Sequence, residues 1–152
     1  MKLIITVFFL ALVSCNSRNI KNSKELVTNQ LDVFKNEDLV SYIRLYNYYD
    51  NDSSYYNILP YSLHMLKKSE IGHFDFFSSY LKISFNNEYN PKDILKLDKP
   101  EMDFLIYVLQ LGAKKEDFYC REVLSDYYRN GIVVEKNIIA ADSIYKKLGY
   151  NN

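Results

Sequence analysis

The two histidines and two cysteines are the side chains of this sequence with the widest chemical repertoire. Imidazole transfers protons near neutral pH, and a thiolate is both a nucleophile and a metal ligand. His64 and His73 are nine residues apart on different predicted helices, and Cys15 and Cys120 are separated by most of the chain. The sequence contains no HExxH pattern, no closely spaced cysteine pair, no glycine-rich phosphate loop and no recognisable Ser-His-Asp nucleophile motif. It therefore predicts a protein without catalytic residues, metal ligands or a cofactor.

Paired carboxylates are the remaining groups that could carry out acid–base chemistry. All of the pairs fall at predicted helix starts or in turns, where a carboxylate caps backbone N–H groups or is solvated. Capping and solvation therefore explain them better than catalysis. The pairs are Glu37-Asp38, Asp50 with Asp52, and Glu116-Asp117.

Cys15 ends an N-terminal segment that is typical of exported proteins. Met1-Lys2 is a short positive region, and Leu3 to Val13 is an apolar run too short for the roughly 20 residues of a membrane-spanning helix. Leu12-Val13-Ser14-Cys15 resembles the lipobox of bacterial lipoproteins, in which a small residue precedes a cysteine. We therefore expect a lipoprotein signal peptide over residues 1–14.

The lipobox resemblance implies cleavage before Cys15 and attachment of lipid to its sulfur. Two or three acyl chains anchor a protein stably where one alone would be marginal. The residue after the cysteine is Asn16 and not Asp. By the same resemblance, this implies that the protein is carried to the outer membrane of the bacterial cell envelope, facing the periplasm. Exposure at the cell surface, and a plain secretory signal with a chance cysteine, stay open as alternatives. Lipidation of Cys15 would leave Cys120 unpaired, and its place in an apolar stripe indicates a buried, inert thiol.

The rest of the chain divides into a short tether and one domain. Residues 15–23 comprise the lipidated cysteine and a polar stretch without apolar periodicity, which indicates a flexible tether. Residues 24–152 have the length of one domain, and only 4 glycines and 3 prolines occur in the whole chain, which favours helices over a many-turned sheet protein. The 19 basic and 19 acidic residues balance, and no basic stripe occurs, which argues against nucleic acid as a partner.

The clearest helical pattern lies at residues 116–148 and predicts two antiparallel helices joined by a tight corner. Asn130-Gly131 ends the first helix, because glycine adopts the left-handed conformation needed just past a last helical turn. Asn137 is a good cap for the second helix. Apolar residues recur at helical spacing in both. The stripes are Cys120, Val123, Leu124 and Tyr127 in the first helix, and Ala141, Ile144, Tyr145 and Leu148 in the second.

This hairpin resembles the Sel1-like repeat, a relative of the tetratricopeptide repeat. The family pattern is Leu, Tyr four on, Gly three on, Val three on, Asp three on, Ala four on, then an aromatic pair near a Lys. Asn137 stands where Asp is usual and Ile144 where Trp is usual, and both keep the role of the usual residue. An ordinary helical hairpin that shares the spacing is the alternative. The matching residues are Leu124, Tyr128, Gly131, Val134, Asn137, Ala141, Ile144, Tyr145 and Lys147.

Weaker periodic patterns predict further helices upstream of the hairpin. The helix that follows Asn36 is expected to bury Leu39, Ile43 and Tyr46 on one side. The fifth predicted helix, through Phe104 to Leu111, is apolar nearly all round and is expected to be central. The predicted elements are a covering helix capped by Ser23, a helix from Asn36 to about Tyr49, a helix from near Tyr55 to Ser69 with Pro60 in its first turn, a helix after a turn at Gly72, an irregular segment from Asn86 to Lys99 anchored by Ile94-Leu95, and a helix opened by Asp98 and ended by Gly112.

Gly72, Gly112 and Gly149 recur at intervals of 40 and 37 residues, and each is expected to close the second helix of a pair. Intervals of this size are typical of stacked helix pairs. We therefore predict an all-α fold, a short right-handed α-solenoid of about three antiparallel helix pairs with an N-terminal covering helix. The first two pairs lack most Sel1-like positions, so they are either degenerate repeats or plain helical hairpins.

The chain has 15 tyrosines and no tryptophan. Exposed tyrosine beside arginine supplies rigid contact area, as binding surfaces often do. In Sel1-like and tetratricopeptide arrays the first helices of the pairs line the concave side, and the resemblance implies a partner-binding face there. A merely solvated face is the alternative. The predicted face comprises Arg44, Tyr48, Tyr49, Ser78, Lys82, Arg121, Ser125 and Arg129.

Three functions fit these patterns. The first is a membrane-anchored lipoprotein that acts as a non-enzymatic scaffold for a protein or peptide partner. The second is an immunity-type lipoprotein that neutralises a toxic enzyme in the cell envelope by tight one-to-one capture. The third is a cell-envelope hydrolase or accessory enzyme, whose activity would depend on a single carboxylate or histidine.

Overall fold

A computed structural model of the chain describes residues 20–51, 54–67, 72–86 and 88–148. Within these ranges all regular elements are helices and no strand occurs, which confirms the all-α prediction. No helix in the described ranges has both the length and the apolar character needed to cross a membrane. The predicted signal peptide, Cys15, most of the tether and Gly149 lie outside the described residues. The elements are α1 (Ser23–Asn36), α2 (Leu39–Asn51), a 3₁₀ helix (Tyr55–Asn57), α3 (Leu59–Met65), α4 (Gly72–Phe85), a second 3₁₀ helix (Pro91–Lys96), α5 (Lys99–Lys114), α6 (Phe118–Asn130) and α7 (Ile138–Lys146).

Side-chain caps set the starts of the first two helices, and both differ from the predicted caps. The Asn22 side chain accepts a hydrogen bond from the Glu25 backbone N–H at 2.9 Å, so the cap of α1 is one residue before Ser23. The Asp38 carboxylate accepts from the backbone N–H of Ser41 at 2.7 Å, whereas Asn36 ends α1. Several neighbouring polar residues could cap each helix, and only the chain path decides among them.

The buried face of α2 also differs from the predicted one. Leu39 and Ile43 are 42% and 39% exposed, and Tyr46 is partly buried. The buried residues of α2 are instead Ser41, Tyr42, Leu45 and Tyr49. Both sets follow helical spacing, so periodicity alone cannot choose between them. Burial of the tyrosine set is favoured because the Tyr42 hydroxyl finds polar partners inside the fold, as described below.

The predicted helix from Tyr55 to Ser69 begins as a separate 3₁₀ turn, and α3 itself is short. Pro60 lies in the first turn of α3, as predicted, where its missing N–H costs no helical hydrogen bond. The segment predicted to be irregular contains the 3₁₀ helix Pro91–Lys96. Its anchor is Ile94, which is fully buried, whereas Leu95 is 58% exposed.

Gly72 and Gly112 do not close helices, so the prediction that they end the second helices of pairs is wrong. Gly72 is the first residue of α4, and Gly112 lies inside α5. A Cβ atom at Gly112 would collide with the Cys120 sulfur and lie 2.7 Å from the Cβ of His73. Gly112 is therefore required for the close approach of α4, α5 and α6, a role that helix-stop patterns do not reveal. The start of α5 is as predicted, because Asp98 forms a reciprocal capping box with Glu101.

The α6–α7 corner follows the prediction closely. Gly131 has φ 71° and ends α6, and the Asn137 side chain caps α7 by accepting from the Ala140 N–H at 2.9 Å. Between them, the Val134 N–H donates to the Ile132 carbonyl at 2.7 Å. This hydrogen bond closes a γ-turn around Val133, whose φ of 61° is strained for a β-branched residue.

Each helix from α3 onward packs against its neighbours in the chain, and the buried apolar side chains form two clusters. The α5 helix packs between α4 and α6, although Phe104 and Tyr107 on its outer side are exposed. We call the cluster formed by α1–α3 the N-terminal core and the cluster formed mainly by α4–α6 the C-terminal core. The N-terminal core comprises Ile20, Val33, Tyr42, Leu45, Tyr49, Ile58, Tyr61 and Met65, and the C-terminal core comprises Phe76, Phe77, Leu81, Ile94, Leu105, Ile106, Val108, Leu109, Cys120, Val123 and Tyr127.

Candidate binding groove

An open groove of about 380 Å³ lies where the start of α4, the second 3₁₀ helix and α6 meet. Its walls are aromatic and apolar, and two carboxylates belong to its lining. This is the composition of many binding sites, which combine apolar walls with a few polar groups. We call it the aromatic groove. Its lining residues are Phe74, Tyr89, Pro91, Tyr119, Glu122, Val123 and Asp126.

Three rings in contact form the aromatic part of the lining. The Phe74 ring stacks on Tyr119 with centroids 4.9 Å apart, and it meets Tyr89 edge-on at 5.5 Å. Asp117 joins the helices that carry Phe74 and Tyr119: its carboxylate caps α6 through the Cys120 N–H at 3.0 Å and accepts from the Phe74 N–H at 3.4 Å. The predicted capping role of Asp117 is thus confirmed, and this buried carboxylate also joins α6 to α4.

Tyr89 is a partly buried residue of the groove lining. Its hydroxyl is buried and has no hydrogen-bond partner among the described residues. Burial, reinforced by the nearby Tyr127, raises the pKa of Tyr89 far above its usual value, so the phenol keeps its proton and remains a donor. The neighbouring Tyr127 hydroxyl is already used, because it donates to the Pro91 carbonyl and so fixes the 3₁₀ helix against α6.

Glu122 and Asp126 give the groove a negative rim. They lie four residues apart on α6, so their side chains project from one face of that helix, and both residues are exposed. Asp126 accepts a hydrogen bond from the Asn130 side chain at 2.6 Å, whereas Glu122 makes no ion pair within the described residues. A search of the described residues finds no group of three metal-ligating side chains, so these two carboxylates do not form part of such a group.

Three residues of the predicted partner-binding face are buried and form internal contacts instead of an open surface. Tyr49 accepts from the Gln30 side chain at 2.8 Å, and the Ser78 hydroxyl donates to the Asp75 carbonyl at 3.2 Å. The Ser125 hydroxyl donates to the Ala141 carbonyl at 3.0 Å and joins α6 to α7. A partner cannot reach these side chains without rearrangement of the helices.

The basic residues of the predicted face are largely engaged within the fold. Lys82 pairs with Asp50 at 2.7 Å. The Arg121 side chain is only 12% exposed and donates to the Ala113 and Lys147 carbonyls, which ties the ends of α5 and α7 to α6. The structure therefore does not bring the predicted set together as one open face. The remaining members are Arg44 and Tyr48, which are half-buried, and Arg129, which pairs with Asp142 at 2.7 Å.

A polar cluster lies between the two cores and contains Asp75, whose carboxyl group has a strongly raised pKa. The Tyr42 hydroxyl donates to Asp75 at 2.8 Å and lies 2.9 Å from the Ser62 hydroxyl. Burial raises the pKa of Asp75 to about 7, with the negative charge of Asp117 adding to the effect. A carboxyl group of this kind can exchange a proton near neutral pH. Asp75 lines neither the aromatic groove nor the second groove described next.

A second groove, of about 480 Å³, lies between α1 and α3. Phe34 and His64 form its aromatic part, with ring centroids 5.1 Å apart. The polar groups of its lining are His64 and Lys67, and no carboxylate belongs to it.

Comparison of the chain with protein-family models, with curated proteins and with solved structures found no match.

Proposed function

We propose that this protein is a lipid-anchored, non-enzymatic binding protein of the bacterial cell envelope, which takes a segment of a protein or peptide partner into the aromatic groove. The observation that supports this function is an open groove with aromatic walls and two exposed carboxylates, held between helices. Aromatic residues at such positions supply large contact areas at a low cost in conformational entropy.

The short solenoid is part of the proposal, and the α6–α7 hairpin supports it. Leu124 and Ala141, two positions of the Sel1-like pattern, are buried at 3% and 0% exposure. Gly131 and Asn137 occupy the corner in the conformations that the pattern requires. Helices that pack in chain order, as α3 to α7 do, are the arrangement expected of stacked helix pairs.

Anchorage rests on the lipobox and on the position of the first helix. Cys15 precedes the start of α1 by eight residues, so a lipid on its sulfur would hold the helical domain close to the membrane. Apolar residues Val27, Leu31 and Phe34, at helical spacing on α1, are 45 to 51% exposed. This exposed stripe suits a helix held beside a membrane surface. The outer membrane, facing the periplasm, is the location that we propose.

The binding function is tested by site-specific photo-crosslinking in native membranes. We expect a photoreactive phenylalanine at Tyr119, in the groove, to yield a discrete protein adduct. The control is the same group at Gln110, an exposed residue of α5 that does not line the groove. Identical adducts at both positions, or none at Tyr119, would contradict the proposal.

The anchor is tested separately by labelling cells with a fatty-acid analogue. We expect the wild-type chain to incorporate the label and the Cys15→Ala chain not to. The matched control is Cys120→Ala, which removes the buried thiol and should leave labelling unchanged. Label retained by Cys15→Ala would refute the lipobox assignment.

A further inference from the structure

We propose that the aromatic groove selects a positively charged side chain, arginine above all, of the bound partner segment. This inference rests on the proposed binding function and specifies its ligand chemistry. It starts from the charge of the groove: Glu122 and Asp126 lie on its rim, and its lining contains no basic residue. A cation entering the groove would therefore meet two carboxylates.

The aromatic walls favour a cation over a neutral apolar group. Aromatic ring faces carry partial negative charge and attract a cation placed within about 6 Å of the ring centroid. Phe74 and Tyr119 contribute such rings, and Tyr119 is 52% exposed, so its surface is open to a ligand. A planar guanidinium group stacks on rings and pairs with carboxylates through two parallel hydrogen bonds, whereas an ammonium group does so less well.

Tyr89 places a partly buried ring in the lining of the groove. Its hydroxyl is buried without a partner among the described residues, although a buried phenol normally finds one. The raised pKa keeps it a donor. Because that hydroxyl is closed to solvent, Tyr89 contributes its ring, and not its hydroxyl, to the open wall of the groove.

The size of the groove fits one such side chain and part of its backbone. A volume of about 380 Å³ lies at the small end of the range for ligand sites, roughly 300 to 1,000 Å³. One residue of a partner segment can therefore fill it. This makes the groove a pocket for a single anchoring side chain and not a channel for a whole helix.

Peptide titrations test this inference on the full chain in a mild detergent, followed by amide chemical shifts. The probes are three capped tripeptides, Gly-Arg-Gly, Gly-Lys-Gly and Gly-citrulline-Gly; citrulline has the shape of arginine without its charge. We expect the arginine peptide to shift amides of residues 118–126 and to bind about tenfold more tightly than the citrulline peptide, with lysine between them. Equal affinity for arginine and citrulline would overturn the inference.

Charge variants supply the matched controls. Glu122→Gln/Asp126→Asn should weaken arginine-peptide binding about tenfold, whereas Asp103→Asn/Glu135→Gln, which removes two exposed carboxylates elsewhere, should leave it unchanged. Tyr119→Leu keeps an apolar wall and should also weaken binding. If all variants bind alike, the site is not the groove.

Different results would reject the selection of a cation and the proposed binding function. A partner adduct at Tyr119 together with equal binding of arginine and citrulline peptides would retain partner capture and reject selection of a cation. Binding of the arginine peptide with no adduct in membranes would support the cation site and reject partner capture. Tetramethylammonium tests whether any small organic cation occupies the groove. It should compete only weakly with the arginine peptide, because it cannot form paired hydrogen bonds.

Discussion

Asp75 shows how a single buried carboxyl group makes the fold sensitive to pH. It accepts the Tyr42 hydrogen bond, which lowers its pKa, yet burial outweighs this contact and raises the pKa to about 7 from its usual value of 3.8. Lys82 also lowers the pKa, but it is already paired with Asp50. The proton on Asp75 is thus held by the fold near neutral pH.

Because folding raises the pKa of Asp75, the free energy of unfolding depends on pH. Between about pH 4 and 7 the folded protein keeps the proton on Asp75 while the unfolded chain releases it, so the free energy of unfolding falls as pH rises and levels off above pH 7. Asp75→Asn, which keeps an acceptor for Tyr42, should gain stability relative to wild type between pH 5 and pH 8. We expect a gain on the order of 2 kcal/mol in urea unfolding, since one pKa unit corresponds to about 1.4 kcal/mol.

The matched control for Asp75→Asn is Asp103→Asn. Asp103 is an exposed carboxylate paired with Lys99 within one helix, and its loss should change stability equally at both pH values. A difference between Asp75→Asn and wild type that stays constant from pH 5 to pH 8 would show that the carboxyl group titrates normally in the folded protein.

At the scale of the helices, close packing depends on Gly112. Alanine normally favours a helix interior over glycine by about 1 kcal/mol. At Gly112, however, the added Cβ would meet Cys120 and His73 below contact distance. We expect Gly112→Ala to destabilise the protein by about 1 to 3 kcal/mol in urea unfolding.

Two further variants locate the origin of the Gly112 effect. Gln110→Ala, an exposed substitution in the same helix, should be nearly neutral. Cys120→Ala removes the sulfur that the new Cβ would meet. The double variant Gly112→Ala/Cys120→Ala should therefore lose less stability than the sum of the losses of the two single variants. Additive effects of Gly112→Ala and Cys120→Ala would show that the two side chains do not collide.

Backbone strain in the α5–α6 corner gives another prediction. Glu116 has φ 73°, and its 77% exposed side chain makes only a 3.3 Å ion pair with Arg121. Glycine has no penalty in this conformation, so Glu116→Gly should raise stability by about 0.5 to 1 kcal/mol in thermal or urea unfolding. Glu135 is an exposed loop residue without a positive φ. Glu135→Gly should instead lower stability slightly, because it only increases the conformational entropy of the unfolded chain.

These contacts also explain which helices could be predicted from the sequence. The α6–α7 hairpin and the start of α5 carry local signals, namely Gly131, Asn137 and the capping box of Asp98, which act over a few residues. The role of Gly112 depends on Cys120 and on His73 in a distant helix. Local patterns hold no information about such contacts, and Gly112 was therefore misinterpreted as a helix stop.

The aromatic groove was missed for the same reason. Its three rings come from α4, the segment before the second 3₁₀ helix, and α6, and their meeting depends on tertiary packing. One local signal was available, because Glu122 and Asp126 are spaced for one face of a helix that starts with aromatic residues. Ser78 and Ser125 of the predicted face are buried because the Ser78 hydroxyl donates to the Asp75 carbonyl within α4 and the Ser125 hydroxyl joins α6 to α7.

At the scale of the whole molecule, the two cores are unequally built. Among the residues of α1 only Asn29 and Val33 are buried, and α1 packs against α2 and α3 alone among the elements with substantial contacts. In α5, by contrast, Leu105, Val108 and Leu109 are all buried between α4 and α6. Regions with few buried apolar contacts open at lower free energy than the rest of a fold.

The N-terminal core should therefore open before the C-terminal core, and native-state hydrogen exchange measures this directly. We expect amides of α1 to exchange through openings of lower free energy than amides of α5 and α6. Val33→Ala and Val108→Ala form a matched pair, because each removes the same atoms from a fully buried site, at about 1.5 to 2.5 kcal/mol. Val33→Ala should lower protection in α1 and α2 and leave α6 unchanged, whereas Val108→Ala should lower it throughout, since the N-terminal core loses its support when the C-terminal core opens. A uniform fall in protection for both variants would mean that the two cores unfold as one cooperative unit.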